Sequence, residues 1–248
     1  MVALTMVFVV GNNSAYATTD DLTVSVGIMS WYNRYVPITR IEGLDVPRSS
    51  YAFMNGPTIN ARYKDLYLGV TCLFSSNDYE LERTKVPYGK NQAKVTSSAS
   101  RTDVDVVIGY MLTPQIDLNA GYKGIFVEDT LTLAAARRTF QAKHDETYNL
   151  GTLGAGLHIP VRMKTILFLN VNALLGTFDN NISYPGRIEL INYDDRYSTA
   201  WGVSVDTSIT YRFIDTLSGS TGIKYQYVKA GSDNSNFFGP TLSLDYRF

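Results

Sequence analysis

The stretch GPTLSLDYRF, residues 239–248, decides the fold. With Phe238 just before it, Pro240, Leu242, Leu244, Tyr246 and Phe248 fall on one parity. Gly239, Thr241, Ser243, Asp245 and Arg247 fall on the other. Period two marks a strand with one apolar and one polar face. Chain ends are ordered only where something ties them down, so this strand calls for a partner strand.

The same alternation runs back through the chain to Leu22. Leu22, Val24, Val26 and Ile28 alternate with Thr23, Ser25 and Gly27. Ile59, Ala61 and Tyr63 begin a second series, and Leu66, Leu68, Val70, Cys72 and Phe74 a third. Further series run through 103–112, 116–123, 152–159, 167–173, 201–213 and 222–227, so the closing stretch is the tenth. Several span ten residues or more. Strands in soluble domains average about five or six, whereas a tilted strand crossing a bilayer needs about nine to eleven.

The connections are of two kinds. Short ones fall at 64–65, 113–115, 160–164 and 214–217. Long polar ones cover 33–54, 76–100, 129–146 and 178–196, with a smaller one at 231–236. Long and short alternate, as they do when every second connection of an up-and-down barrel lies on the same side. The pattern predicts an all-β fold: one up-and-down antiparallel transmembrane β-barrel of ten strands, with eight or twelve as alternatives. Its turns are short and periplasmic, its loops long and extracellular. An even number suits a single-chain bacterial barrel. The stretch TLAAARRTF at 132–140 reads as loop or strand extension rather than a short helix.

Composition agrees. The 248 residues carry a net charge of −1, with 18 Tyr and 19 Gly. That charge balance offers no basic surface for nucleic acid. No apolar run reaches the roughly 18–20 residues of a spanning helix, and a mean hydropathy of −0.08 is what alternating strands average to. Cys72 is the one cysteine. It excludes an internal disulfide and reads as a small hydrophobe. Neither zinc nor calcium spacing occurs, and no cofactor is expected.

Residues 1–17 read as a secretory signal peptide. A short apolar stretch at 2–10 precedes Ala15-Tyr16-Ala17, a small-x-small cleavage site, although no Lys or Arg precedes Arg34. The barrel would then occupy 18–248.

In the closing LSLDYRF with Tyr246 and Phe248, the small-x-small site and the strand-turn rhythm, the chain resembles the small outer-membrane β-barrel proteins of Gram-negative bacteria. The resemblance implies that Leu242, Leu244, Tyr246 and Phe248 form a signal for the barrel-assembly machinery. It also implies a lipid bilayer and lipopolysaccharide as surroundings, and a monomer. Tyr63, Tyr211 and Phe213 would join Tyr246 in a periplasmic aromatic girdle.

With apolar faces on lipid, parity sends ten charges into the lumen: Arg62, Lys123, Arg212, Lys224 and Arg247 against Asp103, Asp105, Asp117, Asp206 and Asp245. Charges leave water only when paired, and a selective channel carries rings of one sign. Balance therefore predicts a network that fills the lumen. Inward Gly154, Gly156, Gly202 and Gly222 leave open the alternative of gaps and a narrow path.

Three functions follow. The first is a structural or surface-interaction barrel acting through its extracellular loops, where binding usually resides. The second is a narrow porin-like channel for small solutes. The third is a rim hydrolase similar to the ten-stranded omptin-type proteases, for which the long loops offer His144-Asp145 and Asp194-Asp195. Neighbouring side chains on an extended segment diverge, which argues against that pair, and the family's spaced Asp-x-Asp and Asp-x-His patterns are read as absent. His158 falls near a short turn on the inner face. A soluble lipocalin-like barrel would need all ten charges outside, against the aromatic strand ends.

Overall fold

The computed structural model describes residues 22–41, 44–47, 50–77, 79–88, 91–135, 138–183, 197–231 and 233–248. The expected signal peptide, with Ala15 and Ala17, and the pair Asp194-Asp195 lie outside the described residues. The strands are β1 Thr23–Ile41, β2 Leu44–Pro47, β3 Ser50–Tyr63, β4 Leu66–Ser75, β5 Tyr79–Tyr88, β6 Asn91–Thr113, β7 Ile116–Ala135, β8 Arg138–Arg162, β9 Thr165–Ser183, β10 Ser198–Ile214, β11 Leu217–Ala230 and β12 Asp233–Arg247.

Ten of these form a closed, all-antiparallel, up-and-down barrel. The expected closure of the last strand on the first is present. Val26 stands opposite Tyr246 and Ile28 opposite Leu244, and Phe248 N donates to Val24 O at 2.9 Å. Among the described residues closure pairs the first and last wall strands, so neither is left as an open edge. β2 and β5 stand outside the ring, β2 folded against the far end of β1 and β5 against the first half of β6.

The four short turns lie at 64–65, 114–115, 163–164 and 215–216. Lys64 takes φ 55° in the first, the left-handed conformation that the primed hairpin turns take at their first central residue. Its carbonyl accepts a hydrogen bond from Arg62 Nε at 2.8 Å. At the next turn Thr113 Oγ1 accepts from Gln115 N and Ile116 N. At the opposite end Gly231 takes φ 57° between β11 and β12, where a side chain would be strained.

The long connections are mostly wall. β6 runs 23 residues and β8 runs 25, so each is roughly 75–85 Å of extended chain. Much of 33–54, 76–100 and 129–146, expected as loop, is strand, and 132–140 is strand extension apart from its undescribed tip. The reason is an inversion of polarity along the wall. Near the short turns the outward residue is apolar and the inward one polar, as with Leu118 and Asp117. Higher up, Ile125 and Val127 face inward while Glu128 faces outward, with strand parity unbroken. The inversion removes the polar-in, apolar-out signature by which the sequence marks its spanning segments.

Outside, the apolar band has two aromatic margins. Tyr63, Tyr110, Tyr211, Phe213, Tyr246 and Phe248 are exposed near the short turns. Tyr32, Phe53, Trp201, Tyr225 and Phe238 are exposed above. Trp201 and Tyr211 are ten residues apart on β10, as are Phe53 and Tyr63 on β3. Ten residues at about 3.3 Å each, tilted by about 40°, rise about 25 Å. That is the height of the apolar band of a membrane barrel. The upper margin has no counterpart in the sequence reading.

Candidate functional site

The lumen is the site, and it is layered. In the lowest layer Asp117 collects three partners. Tyr67 Oη donates to its Oδ1, His158 Nε2 lies 2.8 Å from its Oδ2, and Asn119 Nδ2 donates to Oδ1 at 3.2 Å. Asn119 Nδ2 also reaches Asn170 Oδ1 at 3.2 Å. The Phe168 ring meets the His158 ring edge-on, with centroids 4.9 Å apart. Glycine makes this layer possible. Tyr67 pairs with Gly109 across β4 and β6, and a Cβ at Gly109 would strike the Tyr67 ring. A Cβ at Gly156 would strike the Asp117 carboxylate. The inward glycines are therefore filled by neighbours rather than left as gaps: Asn172 lies against Gly154, the Tyr227 carbonyl against Gly202 and Ser208 against Gly222. On the other wall Asp245 is held by hydroxyls, Thr58 Oγ1 at 3.2 Å and Ser243 Oγ at 3.1 Å.

Two ion pairs make the next layer. Strand register sets Asp105 opposite Lys123 and Asp206 opposite Lys224. Lys123 Nζ donates to both Asp105 oxygens at 2.5 Å. Lys224 Nζ lies 3.3 Å from Asp206 Oδ2, an ion pair without hydrogen-bond geometry. A cavity of about 30 Å³ sits among these four charges, lined also by Asn119, Thr152 and Asn172.

Above lies Arg101, fully buried and absent from the expected network. Its Nε and Nη2 donate to the two oxygens of Asp103 at 2.6 and 2.7 Å. Its guanidinium lies 3.8 Å from the Phe237 centroid and 5.5 Å from that of Trp31. Lys224 Nζ approaches the same Trp31 ring at 5.7 Å. Such cation–π contacts strengthen when desolvated, so the aromatic pair offsets part of the cost of burying both cations.

A buried apolar cluster crosses the lumen around the Arg101–Asp103 pair, with Leu73 and Ile125 in register with Asp103. Met29 and Trp31 come from β1, Met54 from β3, Leu73 from β4, Ala99 from β6 and Ile125 from β7. Leu150 comes from β8, Leu174 from β9, Ala200 from β10, Val228 from β11 and Phe237 from β12. All ten wall strands contribute, so the cluster is a septum rather than a patch. Nearer the tall rim, Ser97 Oγ donates to Asp129 at 2.6 Å and Tyr79 Oη to Asn33 at 2.6 Å. Tyr148 Oη donates to Glu146 at 3.2 Å, and His144 Nδ1 lies 3.6 Å from Glu146.

Seven of the expected inward charges are buried: Asp103, Asp105, Asp117, Lys123, Asp206, Lys224 and Asp245. The structure does not bring Arg62, Arg212 and Arg247 to them. These three sit at the short-turn rim, with Arg62 on the Lys64 carbonyl, Arg247 on the Asp215 carbonyl at 2.7 Å, and Arg212 3.9 Å from the Asp215 carboxylate. The buried cations facing the carboxylates are instead Arg101, Lys123 and Lys224, with His158 beside Asp117. Leu242, Leu244, Tyr246 and Phe248 all point outward, and so do Tyr63, Tyr211 and Phe213. His144 turns inward and Asp145 outward, as neighbours on a strand must. An Asp-x-Asp spacing does occur at Asp103 and Asp105, but it is buried at mid-lumen, far from either rim.

No protein-family model and no curated protein matches the chain. Solved structures do. The outer-membrane protease OmpT of Escherichia coli superposes with a TM-score of 0.57 at 12% identity, over 93% of this chain and 98% of that one. The translocator domain of the autotransporter NalP of Neisseria meningitidis gives 0.56 at 11% identity, over 91% and 88%. At such identities the likeness is one of architecture, and the chain has the fold of outer-membrane β-barrels.

Proposed function

We propose that this chain is an integral barrel of a Gram-negative outer membrane, closed to solutes, with a structural or surface-interaction role carried by its tall extracellular wall. The observation that carries this reading is the septum to which all ten strands contribute. The outward band of about 25 Å between aromatic margins supports the bilayer as its solvent. Lipid and lipopolysaccharide are then its surroundings. Leu242, Leu244, Tyr246 and Phe248 serve the assembly machinery, Tyr63, Tyr211 and Phe213 the periplasmic girdle, and residues 1–17 export. Against a rim hydrolase stand the diverging His144 and Asp145 and the burial of Asp103 and Asp105.

The second reading, a narrow channel, is favoured by one observation: the polar cavity between the two ion pairs. Planar-bilayer recording of the refolded chain separates the two. The closed barrel gives no stable conductance steps, while the detergent-solubilised protein shows heat-modifiable migration and β circular dichroism. Regular steps from the wild-type chain defeat the closed reading.

A further inference from the structure

We propose that the polar chamber beneath the septum holds water, and that the apolar septum, not the charge layer, is what closes the lumen to ions. The inference rests on the closed-barrel reading and adds where the barrier lies and what fills the space below it.

The case for water begins with unmet hydrogen bonds. Asn119 Oδ1, Thr152 Oγ1, Asn172 Oδ1 and Lys224 Nζ are buried without a hydrogen-bond partner, and all four residues line the same cavity. Asn119, Thr152 and Lys224 are each more than nine-tenths buried. Buried polar atoms are almost always satisfied, by water where protein does not reach. A water needs roughly 10–15 Å³ and two to four polar partners. The cavity offers about 30 Å³ and three acceptors around an ammonium donor. Space and chemistry both fit one or two waters wedged between the Lys123–Asp105 and Lys224–Asp206 pairs.

The septum is different in kind. Met29, Met54, Leu73, Ile125 and Leu150 are fully buried and have no side-chain hydrogen-bonding group beyond weak thioether sulfurs. A hydrophobic constriction in a pore bars ions by dewetting. The Arg101–Asp103 pair lies at the septum's own level, since strand register sets Asp103 beside Leu73 and Ile125. Two hydrogen bonds close its charges on each other, and the guanidinium face lies on Phe237. An ion crossing the charge layer finds water and paired charges of both signs. An ion crossing the septum finds one closed ion pair in an otherwise apolar surround.

The test compares the two layers in planar bilayers with the full chain. The double variant Ile125→Asn, Leu150→Asn keeps the number of non-hydrogen side-chain atoms and makes the septum wettable. It is expected to give stable conductance steps. The double variant Asp206→Asn, Lys224→Met removes a charge pair, leaves the septum intact and is expected to stay silent. Should the Asn variant fail to fold, judged by loss of heat-modifiable migration, Trp31→Ala opens the septum by volume and is expected to conduct. Silence from folded septum variants, or conductance from the charge-layer variant alone, overturns the proposal. The water is read separately by nuclear magnetic resonance in detergent. Cross-peaks from water to the Asn119 side-chain amide are expected, and their absence from the folded barrel overturns that half. Conductance from the wild-type chain would instead defeat the closed-barrel reading itself, whichever variant opens.

Discussion

The guanidinium carbon of Arg101 lies 3.8 Å from the ring centroid of Phe237, although β6 and β12 stand on nearly opposite walls of the barrel. The contact spans the lumen, and Asp103 at 2.6 Å holds the cation in place from its own strand. Removing one partner of a buried pair strands the other charge. Asp103→Asn is expected to destabilise the barrel by about 3–5 kcal/mol. The double change Arg101→Met, Asp103→Leu takes both charges away and is expected to recover most of that loss. Urea unfolding of the refolded barrel in lipid vesicles gives both values. Equal losses in the single and double variants would show that packing, not charge, holds this layer.

The two lysine pairs differ in geometry and should differ in energy. Lys123 donates to both oxygens of Asp105 at 2.5 Å, whereas Lys224 stands 3.3 Å from one oxygen of Asp206. Lys224 also has the Trp31 ring at 5.7 Å as a second source of attraction. Hydrogen bonds to charged groups contribute roughly 1.5–3 kcal/mol. Asp105→Asn is therefore expected to cost about 1–2 kcal/mol more than Asp206→Asn in the same unfolding assay. The reverse order would mean that the longer pair is the better solvated one.

Gly109 is present because Tyr67 lies over it. A methyl group there would strike the Tyr67 ring, whose hydroxyl is committed to Asp117. Overpacking of this kind costs typically 1–3 kcal/mol, and Gly109→Ala is expected to fall in that range. In a Tyr67→Ala background the ring that the methyl would strike is gone, and the same substitution is expected to be nearly neutral. The cycle closes on thermal or urea midpoints. Additive losses would show that the ring and the glycine are not coupled.

Parity alone made Asp105, Lys123, Asp206 and Lys224 legible as inward residues, because a strand sends every second side chain to the same face. Their pairing was not legible. It depends on the β6–β7 and β10–β11 registers, which the turn geometry fixes. Arg101 shares the parity of Asp103 but lay at the edge of a segment read as loop, so its place in the network was hidden. Trp31, Ile125 and Leu150 were missed for a different reason. Above the apolar band the outer wall no longer has to be apolar and the inner wall becomes core, so polarity inverts while the strand continues. Arg62, Arg212 and Arg247 have the right parity and the wrong height. Parity reports a face and says nothing about distance from the rim, where long cationic side chains turn toward solvent and turn carbonyls.

The height of the apolar band is itself measurable. Ile59 is 52% exposed on the outward face of β3, between Phe53 and Tyr63, which places it near the middle of the band. An arginine facing lipid near the midplane costs about 2–4 kcal/mol, and the penalty falls toward zero at the interfaces. Ile59→Arg is thus expected to lower stability in vesicles by that amount. Lys143 belongs to the tall wall above. Its ammonium already faces Glu128 and Asp145 at 3.9 and 3.7 Å, with the side chain 47% exposed. Exposed pairs of this kind contribute little, so Lys143→Ala is expected to change stability by less than ~1 kcal/mol. In a soluble barrel neither outward position would carry a bilayer penalty, and Ile59→Arg would be tolerated like any surface substitution. Unfolding titrations of the two variants beside wild type therefore test the bilayer assignment without reference to what the lumen does.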